Sequence, residues 1–102
     1  MIRSKIFAAI EKARNNQDKQ REQKEIPWTC NNVDVSNSKK LSALLWHIGI
    51  LNSAVLREAM LVDAYELGGE FDHDKMSQIH NKMKESLINI AATCVAWLEA
   101  EE

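Results

Sequence analysis

The sequence predicts an all-α protein, a helical bundle of about three main helices in a single domain. Three observations predict it. Only three Gly and one Pro occur in 102 residues, so long stretches carry no helix breaker. Apolar residues recur every three to four positions through three such stretches. Val, Tyr and Phe, which favour strands, are sparse. A chain that is 45% hydrophobic and 27% charged has the balance of a folded domain with a modest core.

The first helix is expected over residues 2–24, with Ile2, Ile6, Ile10 and Ala13 at helical spacing and Phe7 and Ala9 widening the stripe. Beyond Ala13 the text "RNNQDKQREQKE" is polar on every face, the mark of a solvated helix or one completed by a partner. Residues 1–25 carry a charge of +3 on a remainder of −5. With a net charge of −2 there is no strong nucleic-acid signal.

Residues 26–37, "IPWTCNNVDVSN", form a connecting loop. Pro27 disfavours helix at Ile26, and Ser36 or Ser38 can cap the next helix. Trp28 reads as a lid that packs this loop on the core, with base stacking as the sharper alternative.

The helical core spans residues 38–102. Its first helix is expected from Lys39 to Glu66, with Leu41, Leu44, Leu45, Ile48, Leu51, Val55 and Leu56 on one broad face. That length favours a kink or break near Asn52–Ser53. Gly68 and Gly69 are C-cap candidates, and Asp72 or Asp74 can cap the last helix, over 74–100. There Met76, Ile79, Met83, Leu87, Ile90, Cys94 and Leu98 form the stripe, and between Leu87 and Leu98 the other faces are apolar too. Three helices can hardly surround such a helix. The expectation is a homo-oligomer, most simply an isologous dimer completing a four-helix core.

Familiar chemistry is absent. There is no G-x-S-x-G, HExxH, phosphate-cradling glycine loop or EF-hand spacing. The acidic segment 58–74, with "DHD" at 72–74, reads as solvated and helix-capping. Cys30 and Cys94 read as reduced thiols, Cys94 as a small core residue. His80 lies on a polar edge. His47 has no His or carboxylate three or four residues on, which leaves a metal role unsupported. No uncharged run reaches membrane-spanning length, and the first sixteen residues do not match a secretory leader, so a cytoplasmic protein without membrane contact is expected.

The ending "MKESLINIAATCVAWLEA" (83–100) resembles the last helix of small MazG-like proteins, many from phages and prophages, which reads like "LREELVQVAAVAVAWLEA". Ala91, Ala92, Ala96, Trp97, Leu98, Glu99 and Ala100 match. The family's preceding helix, "LaxLxEExGEvaxAlxE", lays its first Leu on Leu41, its Gly on Gly49 and its later Ala on Ala54. "EKARNNQDKQREQ" (11–23) is similar to the family's opening segment, with shifted spacing and without its Lys-Trp-Gly core. The resemblance implies a MazG-like bundle of the all-α nucleoside triphosphate pyrophosphohydrolases, whose carboxylates on two helices hold Mg²⁺. Those positions here are Trp46, His47 and Ile50 on one helix and Ser86 and Asn89 on the other. Residues 41–56 contain no Asp or Glu in any register.

Three functional readings compete. The first is a non-catalytic interaction protein with no metal or cofactor, a phage or prophage accessory or anti-defence protein with a host protein partner, in which Trp46 and Ile50 fill the old pocket or make an apolar contact with a second subunit. The second is a metal-free nucleotide binder or sponge, in which Trp46 or Trp28 stacks on a base, His47, Ser86 and Asn89 bond to it, and Arg14, Lys19 or Arg21 meets phosphate. The third is an active Mg²⁺-dependent pyrophosphohydrolase with ligands from Glu58, Asp63, Glu66 and Glu85.

Overall fold

Each of the three expected helices forms, with a recognisable signal at most of its ends. The computed structural model describes residues 2–101, and among them α1 spans Ile2–Glu22, α2 Asn37–Glu66 and α3 His73–Glu101, with no strand. Ser36 caps α2: its Oγ accepts from the Lys39 N–H at 3.2 Å. Asp72 does the same for α3, accepting from the Lys75 N–H at 2.9 Å. No break occurs at Asn52–Ser53, and α2 runs as a continuous helix for 30 residues. Neither residue breaks a helix sterically, and packing along α3 outweighs their weak propensity.

Two helix ends close with the same paired hydrogen bonds. At the end of α2, Gly69 N–H donates to Ala64 C=O and Gly68 N–H to Tyr65 C=O, both at 3.0 Å. Gly68 takes the left-handed backbone this needs (φ 96°). Gly69 passes so close to the helix that a Cβ there would lie 2.9 Å from the Ala64 carbonyl oxygen. At the end of α1, Glu25 N–H donates to Gln20 C=O and Lys24 N–H to Arg21 C=O. Here the left-handed residue is Lys24 (φ 59°), which carries a Cβ where glycine is preferred.

α3 lies in the middle. α1 and α2 both pack on it and not on each other. Side-chain pairs give the directions: Arg14 meets Glu99 and Gln17 meets Thr93, so α1 runs antiparallel to α3. α2 does too, with Glu58 beside His80. The loop fills the gap between α1 and α2, with Thr29 and Cys30 buried.

The apolar face expected of α2 resolves into two strips. One, with Lys40 and Ala54 buried and Leu44, His47, Ile50, Leu51 and Leu61 half-buried, turns to α3. The other, with Leu41, Leu45, Ile48, Val55 and Leu56, stays exposed. Cys94 is half-buried rather than core. The radius of gyration is 16.6 Å, against about 13 Å for a compact chain of this length.

Candidate functional site

The antiparallel pairing that sets Glu58 opposite His80 brings Ile50 level with Ser86–Asn89 along the α2–α3 seam. Ser86 is buried, while Ile50, His47 and Asn89 are half-buried. The Asn89 carbonyl accepts from Thr93 Oγ1 at 2.8 Å. Trp46 projects outward, 65% exposed, with its ring edge-on to His47 at 5.0 Å. Burial lowers the His47 pKa below the ordinary value and favours the neutral imidazole.

The phosphate-binding candidates separate. Arg14 is 5% exposed and is occupied within the fold. Its Nε donates to both Glu99 oxygens at 3.2 and 3.0 Å, and its Nη1 donates to Asp18 Oδ1 at 2.7 Å. Its Nη2 lies 2.9 Å from Glu99 Oε2 at an angle too poor for a hydrogen bond. Burial pulls its pKa down, but the bonds and charges of Glu99 and Asp18 outweigh this and raise it. Arg21 donates from Nη1 to Asn32 Oδ1 at 2.8 Å, Asn31 Oδ1 at 3.0 Å and Thr29 Oγ1 at 3.3 Å, clamping the loop to α1. Lys19 is exposed. Trp28 is half-buried in the loop and belongs to none of these clusters. Burial pushes the Cys30 thiol upward against the pull of Lys40 and Arg14, so it is a poor nucleophile.

Further along the α2–α3 seam is a groove of about 760 Å³. Ile50, Ala54 and Ile79 line it together with Arg57, Lys75 and Lys82. Among the described residues Arg57 and Lys75 have no ion-pair partner, and Lys82 Nζ stands 3.9 Å from Glu85. Sequence reasoning missed this set. Its signal was present: Lys75, Gln78 and Lys82 recur at helical spacing on one face of α3.

The carboxylates do not assemble. Among the described residues no three His, Cys, Asp or Glu side chains are placed to hold a metal ion. Glu58 accepts from, or pairs with, His80 Nε2 at 2.6 Å. Asp63 and Glu66 lie exposed at the end of α2, and Glu85 sits on α3. The residues at the seam therefore do not fit the Mg²⁺ centre that the resemblance implies. Among the described residues no helix is long and apolar enough to cross a membrane. No protein-family model matches the chain, and neither a curated protein nor a solved structure matches it significantly.

Proposed function

We propose that the chain is a non-catalytic MazG-like protein that works as a homo-oligomer through protein–protein contact, as a phage or prophage accessory or anti-defence protein with a host protein partner. The observation that carries this is the composition of the α2–α3 seam. Trp46, His47 and Ile50 on α2 and Ser86 and Asn89 on α3 occupy the positions where a metal-dependent hydrolase of the resembled family would need carboxylates, and Trp46 is exposed. An exposed Trp on a rigid helix gives large contact area at low entropic cost. The test has two parts. Pyrophosphate release from common nucleoside triphosphates with Mg²⁺ or Mn²⁺ should be flat. Cross-linking in a host extract should capture a specific protein with the native chain and lose it with Trp46→Ala. Metal-dependent release abolished by Glu58→Gln or Glu85→Gln would overturn the reading.

A nucleotide binder is the second reading, favoured by the groove cations Arg57, Lys75 and Lys82 rather than by Arg14 or Arg21. It predicts a thermal shift with nucleotides in the absence of metal, reduced in Arg57→Ala.

A further inference from the structure

We infer that the cationic groove between α2 and α3 is the docking site for a helix of a partner protein, one with an apolar stripe flanked by acidic residues. This rests on the protein–protein reading above and gives it a surface and a partner chemistry.

The groove continues the trough in which α1 lies. Lys75 and Gln78 precede Thr93 and Ala96 by five full turns at about 3.6 residues per turn, so the four residues share one side of α3. Higher on that side, Thr93 meets Gln17 of α1 and Ala96 is fully buried. α1 ends at Glu22, about level with residue 88 of α3. Below that point Lys75, Gln78 and Lys82 are exposed. The other wall is α2. There Trp46, Ile50, Ser53 and Arg57 lie within about 60° of one another round the helix. The exposed Trp46 therefore extends the wall one turn beyond Ile50.

Shape and charge select the occupant. From Trp46 to Leu61 the wall runs about 22 Å, the length of a four-turn helix. Ile50, Ala54 and Ile79 give the groove an apolar floor, which suits the stripe of an amphipathic helix. Among the described residues, those that line it include no carboxylate, although the chain carries a net charge of −2. Because Glu58 stands opposite His80, Arg57 and Lys82 face each other across the groove. Lys75 lies two turns further on, about 10 Å away. Cations spread in this way match carboxylates two turns apart on a helix. A polyphosphate calls instead for donors that converge on one point. A basic helix would be repelled.

The experiment is a phage-display selection of random sixteen-residue peptides on the intact chain, followed by fluorescence anisotropy with the selected peptides. Enriched sequences should carry apolar residues at helical spacing and Asp or Glu beside them. Arg57→Glu and Lys75→Glu should each weaken binding by about tenfold, and added salt should weaken it further. Trp46→Ala should also weaken it, while Lys84→Glu, on the far side of α3, should not. Peptides with their acidic residues changed to Lys should bind Arg57→Glu/Lys75→Glu better than the native chain. Circular dichroism confirms that each variant is folded. Failure to enrich any sequence overturns the proposal, as do enriched peptides without acidic residues or binding indifferent to both charge reversals. A complex between copies that Arg57→Glu dissociates would make the occupant a second chain and overturn it too. So would a metal-free thermal shift with nucleotides that Arg57→Glu abolishes while no peptide is selected. Each of these failures leaves the non-catalytic reading standing, because that reading fails on pyrophosphate release instead.

Discussion

The two seams of the molecule are built on different physics. α2 meets α3 mainly through apolar burial, with Ala54, Met76 and Ile79 in the core and the exposed Glu58–His80 pair at the edge. α1 meets α3 through directional bonds to Glu99 and Thr93. The residue that α1 buries is Arg14, held by Glu99 across the seam and Asp18 on its own helix, beside Ala92 and Ala96. An apolar seam draws its energy from area and tolerates small shifts. A seam built round a buried guanidinium depends on its partners staying in place. The hairpin should therefore be the stable unit, with α1 a more easily released strap.

The largest effect should come from the apolar seam. Ile79→Ala removes a buried side chain between α2 and α3 and should destabilise by about 3 kcal/mol in urea unfolding. Its effect should be global, with hydrogen exchange accelerated in all three helices. A loss confined to α1 would invert the assignment of the stable unit.

Next comes the polar seam. Glu99→Ala leaves the Arg14 guanidinium buried with Asp18 as its remaining charged partner, which should cost about 2–3 kcal/mol. Arg14→Met keeps most of the packing volume and leaves Glu99 at a partly exposed position, so it should cost less. Hydrogen exchange in α1 should rise in Glu99→Ala while α2 and α3 keep theirs. Equal costs for the two variants would mean that the burial of Arg14 does not govern this seam.

The closing turns of α1 and α2 sharpen the comparison at a smaller scale. Lys24→Gly relieves a left-handed non-glycine residue and should stabilise by about 0.5–1 kcal/mol. Gly68→Ala imposes the same strain on α2 and should destabilise by about 1 kcal/mol. Thermal unfolding measures both, and the signs must be opposite.

Much of this fold was legible, and the illegible part has a physical reason. Helix spacing, Ser36, Asp72 and Gly68 are local signals, and they placed the three helices and most of their ends. The register that brings Ile50 level with residues 86–89 follows from the antiparallel hairpin and its short loop. The role of Arg14 was not legible. Its partner Glu99 lies 85 residues away in the sequence, and a cation in a polar run looks solvated until tertiary packing buries it. Arg21 was missed for a related reason: its acceptors, Asn31 and Asn32, read as turn residues. The groove cations Arg57 and Lys75 come from different helices and converge only when α2 lies on α3.

The smallest expected effect concerns His47, on the α2 side of the apolar seam. Its folded-state pKa is depressed by burial, so the folded protein favours the neutral ring. In the unfolded chain the ring titrates near about 6.5. Above that value both states are neutral and the group is silent. As pH falls through it, the unfolded state takes up the proton first and stability drops, until the folded ring is also protonated and the loss levels off. The urea midpoint should therefore decline more between pH 7.5 and 5 in the native chain than in His47→Gln. The His47 Hε1 resonance should titrate below the ordinary imidazole value, and because Trp46 sits edge-on to the ring, its indole signal should move with the same midpoint. Identical pH slopes in the two chains would place His47 in water and remove it from the seam.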